Sequence, residues 1–303
     1  MYPFERLLVG ADLSDRDEAL LRYAGMLSHL SGTQEAHFLY TQEPIEIPEE
    51  IVKKYLNFKR SEPSARKEQL ERAVHQYFDG GDSVKLFFET LEGVTSDLFL
   101  GYIMDHEVDL AVVGKETGNM QSIKLSERLA RKAPCSVLCV PPQSSPKLSR
   151  LLVAVDFSDH SRDAMETAVA LAKAGGIGEI LCLHVYQVPL RYTKTGHLYE
   201  EYEAITRLNV EETFAEFIRK IDLQGVSIET SIVQGDFPSE LIRDFTEREE
   251  VDMLIVGARG RSAGAAILLG SVSEHLIRIT GCPILAVKRK GEGLGFLKAL
   301  FNP

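Results

Sequence analysis

The chain has 303 residues, 44% hydrophobic and 26% charged, with a formal net charge of −11. That length is long for one hydrophobic core and suits two domains. No run of 18 or more apolar residues occurs, so no membrane span is expected, and an acidic chain whose only basic cluster is Lys288-Arg-Lys290 is disfavoured as a bulk DNA or RNA binder. Four cysteines in this length do not suggest a disulfide scaffold, and Met1-Tyr-Pro-Phe-Glu-Arg6 leads into a strand with no signal-peptide core, so a cytoplasmic location is expected.

The first predicted strand, Arg6-Leu-Leu-Val-Gly-Ala-Asp12-Leu-Ser14, returns 144 positions later as Arg150-Leu-Leu-Val-Ala-Val-Asp156-Phe-Ser158. Further along, Val108–Gly114 matches Val251–Gly257, Leu125–Arg131 matches Val272–Arg278, and Cys135–Val140 matches Cys282–Val287. The chain is therefore an internal repeat, with halves at 1–143 and 148–290 joined through Pro141-Pro-Gln-Ser-Ser-Pro146, and a tail over 291–303. Strands are predicted in the second half near 150–155, 180–186, 227–233, 252–257 and 283–287. Between them Phe214, Phe217, Ile218 and Ile221 fall on one face of a helix, and Gly235-Asp-Phe-Pro-Ser-Glu240 reads as a turn and helix start. Strands alternating with helices predict two α/β domains, each a doubly wound parallel sheet covered on both faces. Ligands of such sheets bind beyond the carboxyl ends of the strands, where the strand order reverses. Asp156, ending the first strand of its half, and Gly257, ending the fourth, are both expected at that edge.

Residues 257–271 carry the strongest functional signal. Gly257-Ala-Arg-Gly260, nine residues, then Gly270-Ser271 lie between the apolar run Met253–Val256 and the helical pattern Ser271–Arg278. Glycines permit close backbone approach and positive φ, and a helix start offers N–H donors and the positive end of its dipole. These are the parts of a phosphate cradle. The loop is neither a Walker P-loop nor a G-x-G-x-x-G fingerprint. Ser271-Val-Ser-Glu274 also fits a capping box with Ser271 as N-cap, so Ser271 serves either a cap or a ligand. Asp156 can accept from ribose hydroxyls, face a metal ion or cap the turn at Ser158. Arg259 and Arg261 can pair with phosphate oxygens or stand as surface charge.

These motifs resemble the universal stress protein (UspA) family in its tandem-domain form, over nearly all of residues 3–290. The resemblance rests on Gly257-x2-Gly260-x9-Gly270-Ser271, Val-Ala-Val-Asp156-Phe-Ser and Cys-Pro-Ile-Leu-Ala-Val287. It implies Rossmann-like, adenine nucleotide α-hydrolase-like domains packed as an intrachain pseudo-dimer through Val137–Val140 and Ile284–Val287. It implies ATP as ligand, with Mg²⁺ accompanying the triphosphate. Ala154, Asp156 and Val185 would hold adenine and ribose. Gly257, Ala258, Arg259, Gly260, Arg261, Ser262 and Ala263, with Gly270, Ser271, Val272 and Ser273, would wrap ribose and phosphates, and Ser271 and Ser273 would lie nearest the phosphates.

The first half departs from the pattern. Thr117 stands where Gly260 does, eleven residues separate Gly114 from Ser126 against fifteen between Gly257 and Ser273, and Ile123 and Lys124 replace Gly270 and Ser271. A β-branched residue is a poor substitute for glycine and lysine a poor cap, so ATP is expected in the second half only. The four cysteines read as buried thiols without zinc spacing, and His184 as a packed strand histidine. Gly291-Glu-Gly-Leu-Gly295 reads as a tail joint, and Leu294–Phe301 as an apolar segment that packs on the body, a partner subunit or a membrane surface. No catalytic triad or paired carboxylate is present. The expected function is a nucleotide-responsive stress or regulatory protein, with at most slow ATP hydrolysis or autophosphorylation. The alternatives are a nucleotide-independent scaffold and, less favoured, an ATP pyrophosphatase or nucleotidyl transferase, which would carry a Ser-Gly-Gly-x-Asp-Ser loop after its first strand. Two tandem chains pairing as a homodimer is a further expectation.

Overall fold

The structure, a computed structural model, describes residues 4–43, 63–115, 120–188, 199–260 and 269–291. The first half runs β1 (Arg6–Ala11), α1 (Asp17–Ser31), β2 (Glu35–Gln42), α2 (Pro63–Tyr77), β3 (Lys85–Glu92), α3 (Thr95–Asp105), β4 (Leu110–Gly114), α4 (Met120–Lys132) and β5 (Ser136–Val140). The second runs β6 (Leu151–Ala154), α5 (Asp159–Ala174), β7 (Glu179–Tyr186), α6 (Tyr199–Arg219), β8 (Ser227–Gln234), α7 (Pro238–Arg248), β9 (Met253–Gly257), α8 (Ser271–Ile279) and β10 (Ile284–Val287). The strands forecast for the second half are all present, within a residue or two at their ends. Phe214, Phe217 and Ile221 are buried together, with Ile218 packed beside them. Pro238 occupies the first turn of α7, where its missing N–H costs nothing.

Among the described residues the strands form a single ten-stranded sheet in the order β3-β2-β1-β4-β5-β10-β9-β6-β7-β8. Pairing is parallel within each half and antiparallel only at β5–β10. The central strands β5 and β9 are buried at every position, and the outer strands β3 and β8 are exposed along much of their length. This gradient is what a sheet covered by helices on both faces requires. One apolar layer packs α1, α2, α5 and α6 onto one face, and the other packs α3, α4, α7 and α8 onto the opposite face. Strand order reverses between β1 and β4 and again between β6 and β9.

The seam at the middle follows the sequence expectation. Val137, Leu138 and Cys139 pair with Ala286, Leu285 and Ile284, all buried. Above it α4 packs on α8, and the contacts are reciprocal. Arg131 pairs with Glu274, and Arg278 with Glu127. Two buried lysines cross in opposite directions. Lys115 Nζ donates to Thr280 O at 2.7 Å, at the end of α8, and Lys288 Nζ donates to Ala133 O at 2.9 Å, at the end of α4. Each places a cation on the negative end of the other half's last helix. The Arg–Glu pairs join equivalent residues, as in an isologous interface, whereas the lysines are not counterparts, since Lys115 matches Ala258 and Lys288 matches Pro141.

Leu138→Ala, at the centre of the seam, is expected to cost about 2–5 kcal/mol in urea unfolding, the range for a buried leucine whose cavity does not collapse. A loss below about 1 kcal/mol would show that the seam repacks freely.

Candidate nucleotide site

The carboxyl edge of β6 is set by one strained corner. Val155 N donates to Leu183 O at 2.9 Å, carrying the chain one residue past the strand. Phe157 then turns the chain at φ 65°, a left-handed conformation uncommon outside glycine. Its ring packs 4.1 Å from that of His184, whose Nδ1 donates to Val155 O at 2.7 Å. Asp156 Oδ1 accepts from Ser158 N at 3.1 Å and from Ser161 Oγ at 2.6 Å, and Ser161 Oγ accepts from Asp156 N at 2.9 Å. Ser158 caps α5 by accepting from Ser161 N. One oxygen of Asp156 thus closes the turn, as the cap reading held. The other faces the glycine loop, where a Cβ on Gly260 would lie 2.8 Å from Asp156 Oδ2.

The described ends of the loop are tied together by two short hydrogen bonds. Gly270 N donates to Ala258 O at 2.7 Å, and Ser273 Oγ donates to Gly257 O at 2.8 Å. A Cβ on Gly257 would sit 2.8 Å from the His160 backbone, because the first turn of α5 lies directly on it. Two expectations need correction here. None of Gly257, Gly260 and Gly270 has positive φ, so close approach, not left-handed geometry, calls for glycine at 257 and 260. The capping box does not form either. Gly270 is the N-cap of α8, Ser271 is its first residue and is exposed, and the Glu274 carboxylate is drawn across the seam to Arg131. With no side chain at the N-cap, the first-turn N–H groups have no side-chain acceptor from that position.

Asp156, Gly257, Ala258, Gly260, Gly270 and Ser273 are therefore brought together at the β6–β9 switch point. Ala154 and Val185 lie half-buried at the same edge, on the face covered by α7 and α8. Arg259 and Val272 are half-buried. Arg261, Ser262 and Ala263 lie outside the described residues. Ser273 spends its hydroxyl proton on Gly257 O and is buried, so it pins the loop, leaving Ser271 as the exposed hydroxyl at the helix start. Sequence reading missed the corner formed by Phe157, His184, His160 and Ser161. The Asp-Phe-Ser run signals a turn, but nothing in it signals the positive φ.

The same edge of the first half is built differently. Ser126 Oγ still donates to Gly114 O, at 3.3 Å. The counterpart of Ser161 is Asp17, whose carboxylate accepts from Asp12 N and Leu13 N at 3.1 and 2.8 Å. Arg16 Nη2 lies 2.7 Å from Asp12 Oδ2. Burial, with the Asp12 carboxylate adding to it, pushes the Asp17 carboxyl up to about 7. Lys124 is the counterpart of Ser271, yet α4 begins at Met120, so Ile123 and Lys124 lie inside the helix, one turn beyond its start. The residue after β4 is Lys115, 2% exposed, where the second half has Ala258. Thr117 lies outside the described residues.

Other sequence candidates are structural. Cys135, Cys139 and Cys182 are buried free thiols, while Cys282, expected to be buried too, is half-buried; burial pushes Cys135 up to about 12 and Cys139 up to about 11, far from a reactive thiolate. Among the described residues no cluster of three or more His, Cys, Asp and Glu converges as a metal site, and no helix is long and apolar enough to cross a membrane. The apolar tail segment Leu294–Phe301 lies outside the described residues.

Comparison with known proteins then decides the family. The universal stress protein family model matches the chain twice, at residues 3–141 and 147–288. The chain belongs to the universal stress protein family. It is 23% identical over 321 residues to universal stress protein E of Photorhabdus laumondii, covering 96% of this chain and 97% of that one. It is 32% identical over 148 residues to universal stress protein YxiE of Bacillus subtilis, covering 46% of this chain and 99% of the relative. The crystal structure of a universal stress protein from Archaeoglobus fulgidus superposes with a TM-score of 0.60 at 20% identity, covering 94% and 96% of the two chains, which supports the shared fold.

Two outcomes follow from this geometry. Gly257→Ala must displace the His160 backbone and is expected to cost about 1–3 kcal/mol, whereas Gly114→Ala, with nothing within 4 Å of the new Cβ, should stay within about 0.5 kcal/mol in thermal melts; equal losses would contradict the packing account. Asp17 titrates higher folded than unfolded, so its contribution is fully present below about pH 4 and lost as pH rises through about 7. Asp17→Ser, which copies Ser161, is expected to gain on the wild type steadily from pH 4 to pH 8. A stability difference independent of pH would refute a buried, raised carboxyl.

Proposed function

We propose that this universal stress protein binds one ATP per chain, with Mg²⁺ on the triphosphate, in its second half, and acts as a nucleotide-responsive stress or regulatory protein. The observation that carries the reading is the start of α8. Its N-cap is a glycine without a side-chain acceptor, and a Cβ there would meet nothing closer than 3.5 Å. That leaves N–H donors and dipole free for an anion, beside the Asp156 carboxylate that faces Gly260. Ala154 and Val185 supply a half-buried apolar edge for a base, and Asp156 a carboxylate for ribose hydroxyls. Ser271 and the backbone of Ala258–Gly260 would surround the phosphates, with Arg259 near enough in sequence to pair with them. Bound Mg²⁺ would offset phosphate charge.

The polar groups nearest the loop argue for ligand binding rather than turnover. Asp156 is held by Ser158 and Ser161, and Ser273 by Gly257 O, so both position the loop instead of serving as base or nucleophile. In the first half the helix start that would face phosphate has moved by a turn, and Asp17 adds a carboxyl at the corner. That half is read as a partner without ATP.

Calorimetric titration with Mg-ATP is expected to give one site per chain. Gly270→Ile adds a Cβ that meets nothing closer than 3.5 Å and places a branched side chain before the helix start. It should abolish the heat while changing stability by no more than about 1 kcal/mol. Two sites per chain, or binding unchanged in the variant, would contradict this placement.

A further inference from the structure

The glycine loop of the first half has not merely decayed; it has gained a buried lysine. Lys115 follows β4 as Ala258 follows β9, and the two share a backbone role: Lys115 N donates to Val140 O at 2.8 Å and Ala258 N to Val287 O at 3.0 Å. Ala258 uses its carbonyl to hold Gly270 at the start of α8. Lys115 instead sends its side chain across the seam to the other end of the same helix. Its Nζ donates to Thr280 O at 2.7 Å and to Thr280 Oγ1 at 3.0 Å, while Thr280 Oγ1 donates to Leu276 O at 2.8 Å. Thr280 is fully buried. Removing the ammonium would leave a buried helix-terminal carbonyl short of its donor, which is costly.

Helix α8 is nine residues long, Ser271–Ile279, about 13 Å from end to end. Its N-terminal end is tied to its own half by Gly270 N–Ala258 O and Ser273 Oγ–Gly257 O. Its C-terminal end is tied to the first half by Lys115, and its flank by Arg131–Glu274 and Arg278–Glu127. Those two ion pairs are partly exposed and individually weak. The lysine contact is the buried one. A short helix moves as a rigid rod, so a change at Thr280 is carried to Gly270 and Ser271.

We propose that Lys115 is a positioning residue for the nucleotide site of the opposite half: the first half has traded its phosphate loop for a strut that holds α8 in its binding position. The proposal rests on the reading of α8 as the phosphate-binding helix. The molecule carries its own control. Lys288, from a non-equivalent position, caps the equivalent helix end, with Nζ donating to Arg131 O at 3.2 Å and Ala133 O at 2.9 Å, and so ends on α4 instead of α8.

The test compares Lys115→Met and Lys288→Met in the full chain, by titration with Mg-ATP and by hydrogen exchange of the α8 amides without nucleotide. Lys115→Met is expected to weaken ATP by at least about fivefold, the low end of measured couplings between sites, and to speed exchange at the first turn of α8. Lys288→Met should leave both within about twofold of the wild type. Equal effects of the two variants would show only a loosened seam, and no effect of Lys115→Met would remove the strut; either overturns the proposal. If the wild type binds no ATP, the functional reading fails, and exchange alone still decides whether Lys115 positions α8. Thr280→Val, which removes one of the two acceptors, is the milder variant should Lys115→Met not fold, and is expected to change both readouts in the same direction by less.

Discussion

The antiparallel pairing of β5 with β10 is the constraint on which the rest depends. Each half ends in a short strand buried at every position that would otherwise be an exposed edge, and such an edge is a liability. Pairing the two makes one sheet with two continuous apolar layers, and it fixes α4 against α8. The reciprocal arginine–glutamate pairs follow from the approximate twofold relation that this pairing imposes, and the two lysines reach equivalent helix ends from non-equivalent positions. The halves therefore meet as two copies of one subunit would, with the two-fold relation supplied by the repeat.

Approximate symmetry leaves the two switch points free to diverge while the seam stays shared. Both keep the aspartate after the first strand, the positive-φ residue next to it at Leu13 or Phe157, and a serine that ties the last helix to the fourth strand. They differ where a ligand would lie. The second half leaves one carboxylate oxygen against a glycine and a helix start without a side-chain cap. The first pairs its aspartate with Arg16, buries a second carboxyl beneath it and begins its last helix a turn earlier. The same scaffold thus presents anion-favouring geometry on one side and acidic, occupied geometry on the other.

Much of this was legible in the chain. The repeat, the alternating strands and helices and the switch-point edge follow from periodicity and self-similarity, because burial on both faces of a parallel sheet writes itself as continuous apolar runs, while the pairing of the seam strands is implied by the family resemblance. The glycines at 257 and 260 were legible as places of close approach, but their reason was not. It lies in what packs on them, the His160 backbone and the Asp156 carboxylate, which are distant in sequence. The capping box at Ser271–Glu274 was misread because a motif of four residues cannot show that Glu274 has a partner 143 positions away at Arg131. Lys115 is, in sequence, only the residue after Gly114; that it caps a helix of the other half depends on the seam.

The central claim is that this pseudo-symmetric pair keeps a single nucleotide site. It is tested most directly by counting nucleotide in the purified chain, denatured and analysed by mass spectrometry against protein concentration after loading with Mg-ATP and removal of excess. One ATP per chain is the result expected of an intact second switch point beside an altered first. Two per chain would show that the first half binds despite Arg16, Asp17 and the extended α4, and none would leave the glycine loop as a packing device alone.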